Sequence, residues 1–207
     1  MKKALLLHWW EGTSTGCWFP WLQKELEKWG YEVFCPDLPH TEKPVFEEQI
    51  EVIQKYAKDF WEWDIIIGHS LWCCLTTQFV EINKLQKLKI ILVAPVYPKL
   101  WEEIKQMLWE YYEILHPYYT KPNTFEKLEN SYTILLSDND PYITEKSARE
   151  YYNNFVEQEN NSVEYKLFHH WYHFSDWAPK PIKKIPDILN YIGSCPVKGY
   201  ISTTIVA

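Results

Sequence analysis

Three consecutive isoleucines, Ile65-Ile66-Ile67, run into Gly68-His69-Ser70 and then into a helix-like segment, Leu71 to Ile82. A short run with no polar residue on either face is stable only where both faces are covered, as in a strand inside a parallel sheet. The rest of the chain repeats this theme. Ala4–Leu7, Tyr31–Cys35, Lys89–Ala94, Tyr132–Ser137 and Val163–Phe168 read as further strands. Between them lie segments with apolar residues at helical spacing. Phe19 to Trp29 puts Phe19, Leu22, Leu26 and Trp29 on one face before Gly30 stops it, and Phe46 to Phe60 does the same with Phe46, Ile50, Ile53, Tyr56, Ala57 and Phe60. Leu100 to Leu115 is predicted as a helix with an aromatic-apolar stripe, Thr144 to Phe155 as another, and Pro181 to Ile192 as the last, proline being tolerated in a first turn. Alternating strands and helices imply an α/β architecture: a doubly wound, mainly parallel six-stranded sheet with helices on both faces. Residues 1–192 are expected to form one domain. Residues 193–207 carry little pattern and are expected to be a loose C-terminal tail.

The chain has 207 residues, enough for a sizeable core. Its formal charge is −7 and Arg149 is its only arginine, which argues against a nucleic-acid partner and against binding to anionic membrane. Cysteines stand at 17, 35, 73, 74 and 195. The opening Met1-Lys2-Lys3 is followed by only four apolar residues, too few for an export segment, and no apolar run is long enough to span a bilayer. The expectation is a cytoplasmic protein with reduced thiols that pack as small apolar groups. Cys73-Cys74 lack zinc-site spacing, and His169-His170-x-x-His173 falls in a loop away from cysteines, so no metal and no cofactor is expected.

Gly68-His69-Ser70 has the strand–turn–helix setting of a nucleophile elbow, a sharp turn that lifts a serine hydroxyl above a sheet edge. Serine needs a base, and the base an orienting acid. In proteins built around such an elbow the chain order is serine, then the acid, then the histidine. Asp138 and Asp140 follow the fifth strand, and His169, His170 and His173 follow the sixth, so the order fits. Asp140 is preferred because Pro141-Tyr142-Ile143 turns it across the sheet edge, whereas Asp138 is suited to capping its own turn. His173 is preferred because it lies deeper in its loop, within reach of the elbow. Backbone N–H groups of Leu71, next to the serine, and of the loop after the first strand, near Trp10, are the expected oxyanion hole. His8 and His69 are read as structural or as supports behind the catalytic groups.

Several motifs in chain order then make a pattern: His8 after the first strand, Trp18-Phe19-Pro20-Trp21-Leu22, Pro36-Asp37-Leu38-Pro39, Gly68-His69-Ser70, Val93-Ala94-Pro95, Asp138-Asn139-Asp140-Pro141 and His173-Phe174. Together they resemble the small serine hydrolases of the retinoblastoma-binding protein 9 type and their bacterial relatives. The resemblance implies a compact α/β-hydrolase fold, a Ser70–Asp140–His173 triad and hydrolysis of small carboxylic esters or amides. The alternative is a catalytically impaired member of the same fold that serves as an interaction module.

Twelve tryptophans against six glycines are the feature this pattern does not absorb. Trp9, Trp72 and Trp171 fall where the resembled family carries glycine, and Trp72 occupies the second glycine of Gly-x-Ser-x-Gly. UGA codons read as glycine by the source cell but written as tryptophan would produce the excess and the deficit together.

Overall fold

A computed structural model describes residues 1–96, 114, 116–118, 128–146, 148–149, 153, 162–176, 178–193 and 201–206, the last for backbone only. The strands are β1 (Lys2–Leu7), β2 (Tyr31–Phe34), β3 (Ile65–His69), β4 (Lys89–Val93), β5 (Ser131–Ser137), β6 (Ser162–Phe168) and β7 (Ile201–Val206). They form one seven-stranded sheet in the order β2-β1-β3-β4-β5-β6-β7. Every neighbouring pair is parallel. Among the described residues, the helices with both ends in view are α1 (Phe19–Lys28), α2 (Phe46–Gln54), α3 (Trp72–Ile82) and α4 (Ile188–Gly193).

The isoleucine run is where its composition requires it to be. Ile65, Ile66 and Ile67 are fully buried in β3, between β1 and β4. The chain winds outward from β1 to β2, then returns past β1 to place β3 on its other side. That reversal opens a crevice beyond the carboxyl ends of β1 and β3, the place where ligands bind in open α/β sheets.

Helix α3 is buried all round from Trp72 to Val80. One side packs on β3. The other is closed by a relay of polar groups: Gln78 Nε2 donates to the Tyr118 carbonyl (2.7 Å), Tyr118 O–H donates to Gln49 Oε1 (2.5 Å), and Gln49 Nε2 donates to the Pro39 carbonyl (2.8 Å). These bonds offset part of the cost of covering a helix that carries glutamine and threonine, while Gln78 Oε1 has no partner among the described residues.

Four expectations change. The sheet has a seventh strand, because 201–206, within the stretch read as a loose tail, runs in register along β6 from Val163–Ile201 to Phe168–Val206. The last helix begins at Ile188 rather than Pro181, since Pro186 has no N–H and disfavours helical backbone in the residue before it. The second helix ends at Gln54, and Ala57–Asp59 continues as a single 3₁₀ turn. Trp29 lies past the end of α1 and is 48% exposed, so it does not share the buried face of Phe19, Leu22 and Leu26. The aromatic stripe of Leu100 to Leu115, and most of Thr144 to Phe155, lie outside the described residues.

Candidate active site

Ser70 sits between β3 and α3 with φ 57°. Left-handed backbone costs a non-glycine residue about 1–2 kcal/mol, so neighbours must hold it. Its N–H donates to the Val93 carbonyl (2.9 Å), and its carbonyl accepts from Cys73 N–H (3.1 Å). Gly68 makes the turn possible by leaving room. A Cβ there would lie 2.9 Å from the Trp72 carbonyl oxygen and 2.4 Å from Thr76 Oγ1.

Ser70, His173 and Asp140 come together across 103 and 33 residues of chain. His173 Nε2 stands 2.7 Å from Ser70 Oγ, and His173 Nδ1 stands 2.8 Å from Asp140 Oδ2. The carboxylate fixes the tautomer. Nδ1–H donates to Asp140, which leaves the Nε2 lone pair to accept the serine proton. Asp140 is itself aimed, because its other oxygen, Oδ1, accepts from the N–H groups of Tyr142 (2.9 Å) and Ile143 (3.0 Å). The side chains of His173 and Asp140 are 4% and 1% exposed, so the carboxylate faces the imidazole with little water between them.

The two residues expected to bind an oxyanion lie just past the carboxyl ends of neighbouring strands. Leu7 of β1 pairs with Gly68 of β3, and Trp10 and Leu71 are each three residues further along. His8 ties the Trp10 loop down. Its Nε2 accepts from Leu38 N–H (3.2 Å), so its Nδ1 carries the proton and donates to the Trp9 carbonyl (3.1 Å). Burial holds His8 below the ordinary histidine value, which keeps it neutral in that role.

Asp138 does not cap its own turn. Its Oδ2 meets His169 Nδ1 at 2.6 Å and its Oδ1 accepts from His170 N–H at 2.9 Å. The His170 bond, followed by the His169 bond, holds its carboxyl below the usual carboxylate range. Its neighbours also reach the histidine loop: Ser137 Oγ accepts from Trp171 N–H (3.0 Å) and Asn139 Oδ1 from Tyr172 N–H (2.8 Å). Sequence reasoning missed these contacts. Their signal is a run of short acceptor side chains, Ser137-Asp138-Asn139, at the end of one strand beside a polar loop at the end of the next.

The tryptophans at suspected glycine positions differ from one another. The Trp9 indole lies over Gly12 and Gly16, where an added Cβ would come within 2.5 Å of the ring in either case. Trp72 is fully buried against His8, with ring centroids 5.7 Å apart, and its Nε1 finds no acceptor among the described residues. Trp171 is half-buried against Phe168 and Phe174. Cys73 and Cys74 are buried on α3, and burial pushes the Cys74 thiol up to about 12 and the Cys73 thiol well above its ordinary value.

An all-parallel, doubly wound sheet with a serine on a left-handed turn after β3, and carboxylate and imidazole delivered from β5 and β6, defines an α/β-hydrolase fold. Residues 4–163 match the serine hydrolase family, and the chain belongs to it. The match contains Ser70 and Asp140 and stops before His173. A curated relative, YdeN of Bacillus subtilis strain 168, is 29% identical over 86 residues, which cover 42% of this chain and 45% of YdeN. The aligned region therefore spans less than half of that relative. The crystal structure of the Bacillus subtilis ydeN product has a TM-score of 0.69 at 20% identity and covers 94% of this chain and 100% of its own. Est1E of Butyrivibrio proteoclasticus, solved with ferulic acid, has a TM-score of 0.65 at 15% identity and covers 86% and 83%. A monoacylglycerol lipase of Paleococcus ferrophilus has a TM-score of 0.58 at 13% identity and covers 83% and 85%. These structural likenesses carry the fold. Among the described residues, no helix is long and apolar enough to cross a membrane.

Proposed function

We propose that this serine hydrolase cleaves small carboxylic esters or amides through an acyl-enzyme on Ser70. His173 takes the Ser70 proton as the hydroxyl attacks the carbonyl, and returns it to the leaving alcohol or amine. Asp140 holds the imidazole in the required tautomer and stabilises the imidazolium that forms. Water then attacks the acyl-enzyme with His173 again as base, and the acid is released. The oxyanion of each tetrahedral intermediate is assigned to the N–H groups of Leu71 and Trp10; losing one such donor typically costs ~10²–10³ in rate.

The observation that carries this reading is the continuous relay from Ser70 Oγ to His173 (2.7 Å) to Asp140 (2.8 Å), buried and anchored on three strand ends. Closer kinship with the retinoblastoma-binding protein 9 type is part of the proposal and rests on the motif order alone. A reducing, cytoplasmic setting is part of the proposal as well, and the free thiols at 17, 35, 73 and 74 support it.

The test is fluorophosphonate labelling of the purified chain, with the adduct mapped by peptide mass spectrometry. An adduct on Ser70, lost in Ser70→Ala and slowed at least ~10³-fold in His173→Ala, is expected of a base-activated serine. An unlabelled, folded chain would overturn the proposal in favour of the interaction-module alternative, for which Trp72 in the elbow is the supporting observation.

A further inference from the structure

Five consecutive residues of the loop that carries His173 have a backbone group held by a side chain from elsewhere. On one flank, Asp138, Ser137 and Asn139 accept the N–H groups of His170, Trp171 and Tyr172. On the other flank, the next two carbonyls accept from ring N–H groups. His69 Nε2 lies 2.8 Å from the His173 carbonyl, and Trp18 Nε1 lies 2.9 Å from the Phe174 carbonyl. The loop does not relax into this shape unaided: His170, Tyr172 and Phe174 all have left-handed backbone, at φ 63°, 48° and 53°.

His69 does not look like a residue chosen for packing. It is fully buried, and burial holds it well below the ordinary histidine value, so it is neutral. Its Nε2 faces a carbonyl, which fixes the proton there. Its Nδ1 has no partner among the described residues. A phenyl ring would fill similar space without burying an unmatched nitrogen. What the imidazole adds is the single bond to the His173 carbonyl. Trp18 is equally constrained, stacked on Phe19 at 4.0 Å between ring centroids and 21° between planes, so packing sets the direction of its N–H. The His69 and Trp18 rings pack against each other at 5.6 Å between centroids.

We propose that His69 and Trp18 are positioning residues of the Ser70 reaction, an inference that rests on the function proposed above. His69 adjoins Ser70 in the chain. Its bond to the His173 carbonyl therefore sets the distance between nucleophile and base through one short bridge, not through the long path across β4, β5 and β6. Trp18 holds the next carbonyl and prevents the loop from pivoting about that bridge.

The variants are Trp18→Phe, His69→Phe and His69→Gln, whose amide can still donate. For each, Tm, kcat and KM on a p-nitrophenyl ester normalised by active-site titration, and the low-field proton resonance of the His173–Asp140 pair are measured. Trp18→Phe and His69→Phe are expected to lower kcat about 10–100-fold, the range a misplaced catalytic group produces, with KM little changed and the low-field resonance shifted or broadened. His69→Gln is expected to recover most of kcat. Unchanged kcat per titrated site with only a lower Tm overturns the proposal, and so does an equal loss in His69→Gln and His69→Phe, which would assign the effect to ring packing. If His69→Phe does not fold, Trp18→Phe, which keeps an aromatic ring on Phe19, decides. A wild-type chain that fluorophosphonate does not label would refute the hydrolase reading instead; the His173–Asp140 resonance, compared between wild type and variants, still reports on positioning alone.

Discussion

Gly68→Ala is the perturbation whose consequence can be worked most fully. Gly68 has no left-handed φ, so what it supplies is space. The added methyl carbon would lie 2.4 Å from Thr76 Oγ1, 2.9 Å from the Trp72 carbonyl oxygen and 3.1 Å from Cys73 Cα. Two of these are backbone atoms of α3 and cannot move without the helix. Overpacking of this kind costs about 1–3 kcal/mol. Thr76 can rotate away, but its hydroxyl then leaves the Trp72 carbonyl it now reaches at 2.9 Å, and a buried hydroxyl without a partner costs about 1–3 kcal/mol more. A total of about 2–6 kcal/mol corresponds to a fall in Tm of roughly 4–24 °C for a chain of this length. Because α3 begins beside the elbow, lifting it displaces Ser70 and the Leu71 N–H, and fluorophosphonate labelling should slow by ~10–100-fold. Gly68→Ala/Thr76→Ala removes the 2.4 Å contact but leaves the 2.9 Å one, so the pair should recover part of the loss, with a coupling of about 1–2 kcal/mol in urea unfolding. If Gly68→Ala melts within about 2 °C of wild type and labels at full rate, the account of the elbow as a close helix–strand contact is wrong.

Three further outcomes can be checked independently. Asp140→Asn keeps an oxygen for the Tyr142 and Ile143 amides but faces His173 with an amide, so kcat on a p-nitrophenyl ester should fall by ~10³–10⁴; a loss below tenfold would remove Asp140 as the orienting acid. His8 and His69 are held neutral when folded, so below the ordinary histidine pKa of about 6.5 the unfolded chain binds protons that the folded chain does not, and each group should subtract up to about 1.4 kcal/mol of stability per pH unit as pH falls towards its folded value. Urea unfolding from pH 7 to 5 should then be less pH-dependent in His69→Gln than in wild type, and parallel curves would refute a neutral buried His69. Cys73 and Cys74, buried and with raised pKa values, should resist iodoacetamide at pH 8 in the native state and react only after denaturation, as read by peptide mass spectrometry; prompt native alkylation would show that α3 opens at low cost.

The strands were legible because interior strands of a parallel sheet are covered on both faces and leave a plain apolar run, as in Ile65–Ile67. The seventh strand was not, although Ile201, Thr203, Thr204, Ile205 and Val206 are all β-branched, because Ser202-Thr203-Thr204 in its middle reads as a loop when the partner strand is unknown. The candidate catalytic groups could be picked out because all of them follow strand ends, where such sheets put their sites. What could not be read was the assignment of side chains to distant backbone. Asp138 and Asp140 are separated by one residue, yet one takes His169 and the His170 amide while the other takes His173. That division is set by the relative height of two loops, a tertiary quantity. The bonds from His69 and Trp18 to carbonyls 104 and 156 residues away are of the same kind.

Position 72 brings composition, packing and function to one experiment. None of Trp9, Trp72 and Trp171 has left-handed backbone, so glycine at these sites would serve space and not conformation. At position 9 the space is arranged for an indole, since Gly12 and Gly16 both give way to it. At position 72 it is not: the indole N–H is buried without an acceptor among the described residues, at the first turn of the helix that carries the elbow. Trp63, exposed in the turn before β3, does have glycine's backbone, at φ 73°. Trp72→Gly separates the two readings by sign. Removing a well-seated buried indole leaves a cavity and costs about 3–5 kcal/mol, or roughly 6–20 °C in Tm. Removing a wedge releases strain and an unmatched N–H, so Tm should hold or rise and Ser70 should label faster. The second outcome is expected, together with UGA at codon 72 of the coding DNA. A large fall in Tm, or UGG at that codon, would make Trp72 a native part of the core, and the elbow would then have to work around it.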